Sequence, residues 1–283
     1  NSIFDDTSAY VFGNDEDQGI IKTGKYFGNG STDGPEIFLG FEPQWIMIRG
    51  IGGGDWNIVD NMRGIVTGGN DNRLWANTNS AESTSIDVVD ITPTGFKIKH
   101  DGSSFNGECI YMAIRRPDGY VGKPPSAGTD VFAMDTGNAS STIPAFDSGF
   151  PVDYIFQKEP ASSSDNWYTG SRLTGLTNGS LNLTTAFGSW TDMVWDSNVG
   201  VTKNMTSSTQ GWMFKRGQGF DVVTWEGTNG NVDRRHNLGT TPEMIMFKNR
   251  DAARSWRVYH KGLNGGTNPE DYEMALNGTS AEG

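Results

Sequence analysis

Cysteine, histidine and basic residues are scarce in this sequence, and each shortage excludes a class of protein. Cys109 is the single cysteine of 283 residues, so no disulfide can form within the chain. Three scattered histidines without a cysteine partner do not make a zinc site. Lys and Arg number 22 against 34 Asp and Glu, which gives a net charge of -12. This charge disfavours binding to nucleic acids, so we expect no nucleic-acid partner. We also expect no metal ion and no cofactor.

Long apolar stretches and amphipathic helices are also lacking. No run approaches the roughly 18 to 20 apolar residues that a membrane-spanning helix needs, so we expect no membrane insertion. Glycine is abundant at 38 residues, and Ser, Thr, Asn and Asp clusters separate short apolar segments. This pattern is typical of many short strands joined by turns. The sequence therefore predicts an all-β fold of antiparallel β-sandwiches.

One phrase of the sequence occurs three times. It consists of a glycine and a proline, a short apolar strand, a polar loop, and a second strand opened by tryptophan. The copies are GFEPQWIMIRGIGGGDWNIVD at 40–60, GFPVDYIFQKEPASSSDNWYTGS at 149–171 and LGTTPEMIMFKNRDAARSWRVYH at 238–260. Two strands joined by a loop are typical of a hairpin, so the chain is predicted to be a tandem array.

The residues around the hairpins follow the same repeat. Trp56 lies as far before Asn77 as Trp256 lies before Asn277, which indicates a common register. A strand leading into a Gly/Asn turn is predicted ahead of each hairpin, at 22–31, 129–140 and 219–230. The predicted segments are the end of a preceding segment at 1–20, a first sandwich repeat at 21–126, a divergent second repeat at 127–218 and a partial third repeat at 219–283.

Large aromatic residues of the hairpins are predicted to form the structural core. Only 35% of the residues are hydrophobic, so buried area must come largely from aromatic side chains. A tryptophan that opens the second strand of each hairpin is most simply a core residue. The predicted core residues are Trp45, Trp56, Tyr154, Trp167 and Trp256.

Several segments together resemble repeat regions of tail fibres and other virion appendages of tailed phages, especially marine and cyanobacterial phages. They are GKYFGNGS, GFEPQWIMIR, DWNIVDN, LWANTNSAES, GFKIKHDG and ECIYMAIRRP, which recur in part as HNLGTTPEMIMFKNR, SWRVYHKGL and MALNGTSAE. The resemblance implies lectin-like sandwiches of the concanavalin or jelly-roll type. It also implies a structural virion protein, made in the host cytoplasm and forming a homo-oligomer, specifically a trimer. Its partners would be other virion proteins and a host surface glycan or protein.

The resemblance supplies no functional residues, because its motifs are framework positions. Sugar recognition needs flat aromatic faces beside polar groups, and the SWTDMVWDSN stretch offers Trp190 and Trp195 next to Asp192. The alternative for each of these tryptophans is burial in the sandwich core.

The hairpin loops differ completely between the three copies, whereas the strands keep their pattern. A rigid scaffold presents variable contacts on such loops, although loops also vary when nothing constrains them. The third loop carries Arg250, Asp251 and Arg254, which we expect to bind a ligand if the loop sets specificity.

No catalytic residue is predicted. The carboxylates follow no spacing typical of glycoside hydrolysis, and no Gly-x-Ser-x-Gly elbow occurs, so the chain is not expected to be an enzyme. The predicted function is host attachment by a virion appendage, with glycan binding. One alternative is a carbohydrate-binding array of a secreted glycoside hydrolase. The other is a purely architectural capsid decoration or fibre shaft.

Overall fold

The computed structural model of the chain describes residues 19–116, 126–217, 219–228, 230 and 232–283. Twenty strands and four short 3₁₀ turns form the regular structure of this part. All strand pairings are antiparallel. The 3₁₀ turns are Gly128–Asp130, Arg172–Thr174, Leu263–Gly266 and Pro269–Asp271. The prediction of an all-β fold is confirmed.

Packing divides the described residues into two compact units. Of the described residues, unit 1 contains those within Asn1–Ser126 and Arg216–Asn237, and unit 2 contains those within Ala127–Lys215 and Leu238–Gly283. The third hairpin therefore packs within unit 2, while the segment that precedes it packs within unit 1. The repeat boundaries stay a prediction, and nearly all of the predicted preceding segment at 1–20 lies outside the described residues.

Unit 1 is a sandwich of two antiparallel sheets. The larger has the strand order β1-β9-β3-β4-β5-β6, and the smaller has the order β2-β8-β7. The strands are β1 (Ile21–Gly28), β2 (Glu36–Phe38), β3 (Pro43–Gly50), β4 (Asn57–Asp60), β5 (Asp71–Trp75), β6 (Ser83–Ile86), β7 (Val89–Thr92), β8 (Gly95–Ile98) and β9 (Gly107–Arg115). A hydrophobic core that includes Leu39, Phe41, Ile46, Val59, Phe96 and Phe105 lies between the sheets.

Unit 2 contains a second six-stranded sheet, with the order β10-β17-β12-β13-β14-β15. A two-stranded sheet, β11-β16, and a three-stranded sheet, β18-β19-β20, complete the unit. The strands are β10 (Phe132–Thr136), β11 (Phe146–Asp147), β12 (Tyr154–Lys158), β13 (Tyr168–Ser171), β14 (Thr177–Ser180), β15 (Gly188–Ser189), β16 (Gly200–Val201), β17 (Gln210–Phe214), β18 (Met244–Phe247), β19 (Arg257–His260) and β20 (Met274–Ala275). Phe146, Ile155, Met193, Trp195, Val201 and Met213 belong to its core.

The three predicted hairpins are β3–β4, β12–β13 and β18–β19, and they share one register. In each hairpin the first residue of the pairing in one strand lies opposite the last in the other. These pairs are Trp45 with Asp60, Tyr154 with Ser171, and Met244 with His260. The glycine that opens each phrase, at 40, 149 and 239, has φ of 84°, 74° and 71°. Glycine adopts this left-handed conformation without the steric strain of a Cβ atom, so the same turn leads the chain into each hairpin.

An asparagine side chain holds the backbone of each hairpin tryptophan. The tryptophan N–H donates to the asparagine Oδ1, while the asparagine Nδ2 donates to the residue just before the tryptophan. We call these arrangements the asparagine clamps. The N–H donor pairs are Trp56 to Asn77 at 2.8 Å, Trp167 to Asn182 at 3.0 Å and Trp256 to Asn277 at 2.8 Å. The return bonds go from these asparagines to Asp55, Asn166 and Ser255.

Strand alternation puts two of the expected core residues on the outer face of the unit 1 sheet. Ile46 is 0% exposed and faces the core, so its neighbour Trp45 faces outwards and is half-buried. Val59 likewise faces inwards at 1% exposure, which places Trp56 on the outer face. There the guanidinium of Arg49 lies 5.2 Å from the ring centroid of Trp56. Trp256, in contrast, is 5% exposed, and its Nε1 donates to the Ser180 carbonyl at 2.8 Å.

The strand predicted at 219–230 is absent from the described residues of that range, apart from a bridge between Gly217 and Phe220. Its counterparts β1 and β10 each pair with a closing strand, β9 or β17. Among the described residues no closing strand follows the third hairpin, so none of them pairs with the segment as β9 pairs with β1. It packs instead on unit 1, where the Thr224 hydroxyl lies 2.7 Å from that of Thr67.

A buried ionic network attaches the same segment to unit 1. Arg216 makes a two-pronged contact with Glu42, with both N–O distances 2.6 Å. Asp221 accepts a hydrogen bond from Arg216 at 2.8 Å and another from Arg116 at 3.2 Å. Burial opposes ionisation of Asp221, but the two arginines outweigh it and lower the pKa of that carboxyl. Each buried charge therefore has an opposite partner, without which burial would be strongly unfavourable.

The asparagine clamp of the first hairpin gives a testable expectation for stability. Asn77→Ala removes the acceptor for the Trp56 amide, so we expect a loss of about 1 kcal/mol in unfolding free energy. Urea denaturation measures the loss, and hydrogen exchange should show a faster-exchanging Trp56 amide. Asn79→Ala is the matched control, since Asn79 is exposed and makes none of the described side-chain hydrogen bonds. Equal stability of the two variants would contradict a structural role for the clamp.

Candidate functional site

Six aromatic side chains share the outer face of the six-stranded sheet in unit 2. In β12 and β17 the inward residues Ile155 and Met213 are both 0% exposed, so their neighbours in each strand point away from the core. The six residues are all half-buried, and each retains some accessible surface. We call this surface the aromatic face, and it consists of Phe132, Tyr154, Phe156, Trp167, Trp212 and Phe214.

The rings form a continuous row across neighbouring strands. Their centroids are 5.0 Å apart for Phe132 and Phe214, and 5.5 Å apart for Phe214 and Phe156. Phe156 stacks on Trp212 at 5.3 Å, and Trp212 lies 5.2 Å from Trp167. Each such contact contributes about 0.5 to 1.5 kcal/mol beyond area burial, so the rings hold one another in place. The row is thus a preformed apolar surface.

Polar groups around the aromatic face are fixed by hydrogen bonds. Lys158 Nζ donates to the Asp165 carbonyl at 2.7 Å, and Gln210 Nε2 donates to the Asp135 carbonyl at 2.9 Å. Burial raises the pKa of the Tyr154 phenol to about 12, so the group is neutral at physiological pH. The face therefore combines uncharged rings with a polar border, of which the Lys158 ammonium is the cationic part.

The tryptophans proposed from the sequence as sugar-stacking residues do not form a flat exposed pair. Trp195 is 5% exposed within the core, and its Nε1 donates to the Gly175 carbonyl at 2.9 Å. A ligand cannot reach its ring there. Trp190 is half-buried against the core and lies 5.4 Å from the ring of Tyr168. Asp192 accepts a hydrogen bond from Asn204 at 2.9 Å.

The third hairpin loop is held by hydrogen bonds within the loop and by one hydrogen bond from a neighbouring segment of unit 2. Asn249 Oδ1 accepts hydrogen bonds from the amides of Asp251 and Ala252, at 2.9 and 3.0 Å. The Arg250 carbonyl accepts from the Phe187 amide at 2.8 Å. The side chains of Asp251 and Arg254 are exposed. The described contacts do not join this loop to Trp190 and Asp192 in a single site.

The aromatic face was missed by the sequence analysis, although alternate aromatic residues mark it. Tyr154 and Phe156 occupy alternate positions of YIFQK, as Trp212 and Phe214 do in GWMF. The residues between them, including Ile155, are also apolar, so the pattern does not show which side is buried. The face would have been predicted if the aromatic positions had been assigned to the outer side of the sheet.

An open cleft of about 410 Å³ at the first hairpin loop is a weaker candidate. It is lined by Gly52, Gly53, Gly54, Ser103, Asn106 and Gly107, so backbone forms most of its wall. No aromatic or charged side chain lines it. Among the described residues no group of three or more His, Cys, Asp or Glu could hold a metal ion. In the same part of the chain, no helix has the length and apolar character needed to cross a bilayer.

Fold and surface together define an all-β protein of antiparallel sandwiches with an aromatic face. The chain belongs to the family described as Domain of unknown function (DUF7483), whose sequence model matches residues 1–116 and 164–283. No curated protein and no solved structure matches the chain. The family description assigns no activity.

In unit 1 the carboxylates of Asp90 and Glu226 both lie near the ammonium group of Lys99. Lys99 Nζ lies 2.9 Å from Glu226 and 3.6 Å from Asp90. Burial, together with the nearby charge of Asp90, raises the pKa of Asp87 from 3.8 to about 7. The folded protein therefore holds this proton at pH values where the unfolded chain has released it. The contribution of Asp87 to stability is greatest below about pH 4 and is lost as the pH rises towards 7.

This titration predicts the pH dependence of an Asp87→Asn variant. The amide cannot ionise, so the variant should gain stability over the original protein as the pH rises from 4 to 7, and keep that gain at pH 8. Thermal unfolding midpoints across this range measure the difference. Asp196→Asn, at an exposed carboxylate of unit 2, is the control. A constant difference between the Asp87→Asn variant and the original protein at every pH would contradict the assignment.

Proposed function

We propose that this chain is a structural protein of a phage tail fibre or related virion appendage, and that it binds host-surface glycans in attachment. The aromatic face of unit 2 is the observation that carries the binding part of the proposal. Sugar rings present C–H faces that stack on aromatic rings, while their hydroxyl groups need polar partners beside the stack. The row of rings with its polar border supplies both.

The geometry of the row favours an extended glycan over a single sugar. Successive ring contacts from Phe132 to Trp167 run across β10, β17 and β12 to the start of β13. Several sugar units in line could therefore each meet a ring. The net charge of -12 disfavours strongly anionic polysaccharides, because the protein repels them at long range. We infer that the ligand is a largely uncharged chain of sugars.

The virion assignment rests on the resemblance of the repeated segments to tail-fibre sequences. In this proposal the chain forms a homo-oligomer, a trimer by that resemblance, and associates with other virion proteins. It acts outside the cell on the assembled particle, after synthesis in the host cytoplasm. Mass spectrometry of purified virions tests this part. Detection of the chain only as a portion of a free secreted glycoside hydrolase would support that alternative instead.

Binding at the aromatic face predicts the behaviour of a Trp212→Ala variant. The variant lacks one ring on which a sugar can stack. If this ring contributes about 1.4 kcal/mol to the binding free energy, its loss should weaken glycan binding about tenfold. A glycan array identifies the ligand, and calorimetric titration measures the affinity. Trp225→Ala is the matched control, since Trp225 is 38% exposed and lies in unit 1, outside the aromatic face.

Two outcomes separate binding at this face from the alternatives. Wild-type affinity in the Trp212→Ala variant would place any glycan site elsewhere. A chain that binds no glycan and does not compete with virions for host cells would favour the purely architectural role. Circular dichroism should show that both variants keep the fold of the original chain. The unfolding midpoint of the Trp212→Ala variant should fall, because its ring contacts with Phe156 and Trp167 are lost. Trp195→Ala should instead destabilise the protein by about 3 to 5 kcal/mol, as a core truncation does.

A further inference from the structure

Lys158 and Gln210 lie side by side at one end of the aromatic face. They are directly opposite each other in the antiparallel register of β12 and β17, and Cβ atoms of such pairs are about 4.5 to 5.5 Å apart. Gln157, the neighbour of Lys158 in β12, is 2% exposed and points inwards, so Lys158 shares the outer side with Phe156. Gln210 shares it with Trp212 by the same alternation. Both side chains are half-buried and retain accessible surface beside the rings.

Two backbone carbonyls fix the orientation of the Gln210 amide. Its Nε2 donates to the carbonyl oxygens of Asp135 and Gly211, at 2.9 and 3.0 Å. Both partners can only accept, so the amide nitrogen and not the amide oxygen faces them. The two N–H groups of the amide are thereby used. The Oε1 atom accepts none of the hydrogen bonds among the described residues, which leaves it as an acceptor for a ligand.

The ammonium group of Lys158 is held in a similar way by the second hairpin loop. Its Nζ donates to the Asp165 carbonyl at 2.7 Å and to the Ser162 carbonyl at 3.2 Å. An ammonium group has three N–H donors, and the described contacts use two of them. Because the side chain starts from the outer side of the sheet, the loop carbonyls hold the ammonium group beside the rings. The lysine thus presents one donor in a fixed position.

Among the described residues, only the second hairpin has such a donor and an amide opposite each other. Arg49 occupies the position of Lys158 in the first hairpin, and its partner across the strands is Ile110. In the third hairpin the equivalent Lys248 also donates to a loop carbonyl, that of Arg254. None of the described strand pairings places an amide side chain opposite Lys248. The donor and acceptor therefore occur together where the sheet also carries the row of rings.

We infer that Lys158 and Gln210 recognise two adjacent hydroxyl groups of a neutral sugar unit that stacks on Trp212 and Trp167. This inference rests on the glycan binding proposed above and assigns the polar contacts of that site. One hydroxyl group accepts from the Lys158 ammonium, and the other donates to the Gln210 Oε1 atom. Both side chains are already held in place, so little side-chain freedom is lost on binding. The site therefore selects sugars in which both hydroxyl groups are free.

Methyl ethers of the sugar distinguish the two contacts. A methylated oxygen still accepts a hydrogen bond but no longer donates one, so methylation removes the contact to Gln210. The probes are cellohexaose, mannohexaose and maltohexaose, each as the free oligosaccharide and as its 2,3-di-O-methyl derivative. Calorimetric titration of the full chain measures each affinity. For an oligosaccharide that binds, the methylated form should bind about fivefold more weakly than the free form.

Variants of the chain test each contact separately. Gln210→Leu should weaken binding of the free form about fivefold and abolish the difference between the free and methylated forms. Lys158→Met should weaken binding of both forms about tenfold, because a hydrogen bond from a charged donor is stronger than a neutral one. Lys248→Met is the matched control. It removes the equivalent loop contact from the third hairpin and should bind as the original chain does.

The possible results distinguish this inference from the proposed function. An unchanged preference for the free form in the Gln210→Leu variant would overturn the inference, and so would an equal loss of affinity in the Lys158→Met and Lys248→Met variants. Glycan binding at the aromatic face would still stand if Trp212→Ala weakened it. An original chain that binds none of the oligosaccharides would contradict both. A folding defect in Gln210→Leu would lower the affinity for both forms, whereas the inference requires that only the preference between them is lost.

Discussion

The hydrogen bond from each hairpin tryptophan to an asparagine side chain is the constraint on which the repeated architecture depends. It joins the start of the second hairpin strand to the segment after that strand, and the hairpin loop takes no part in it. The tryptophan rings themselves occupy three different environments: Trp56 lies under Arg49, Trp167 belongs to the aromatic face and Trp256 is buried. The backbone bond is common to all three copies, whereas ring packing is not. Loop sequence can therefore change while strand register is kept.

A second constraint acts over a long distance in the sequence. Arg216 follows the closing strand of the second repeat, yet its guanidinium binds Glu42 of the first, 174 positions away. Removing one partner would leave an uncompensated buried charge, which costs more than the pair gains over apolar replacements. The network thus joins the start of the returning segment to the first hairpin of unit 1. The segment after Arg216 accordingly packs within unit 1.

The sequence contained the strands, the hairpins and their register, because turn residues and repeated spacing determine these locally. The sequence did not show which of the two alternating sets of side chains in each strand points into the core. In QWIMIR and DYIFQK both alternating sets are apolar or aromatic, so period two permits either face to be buried. Trp45 was therefore placed in the core and Trp212 was overlooked. The Glu42 and Arg216 pair was equally inaccessible, since no local pattern connects residues in different repeats.

One position of the hairpin shows how a constant scaffold acquires different surfaces. Met47, Phe156 and Met246 occupy the same outward position in β3, β12 and β18. In unit 1 the residue lies on an outer face with Trp45, and in the second copy it is the centre of a row of rings. In the third copy the residue is 36% exposed. The pairing of the two hairpin strands is the same in all three copies, so the three surfaces differ through their outward side chains and their loops. A substitution at an outward position can therefore alter binding without disturbing the hairpin that carries it.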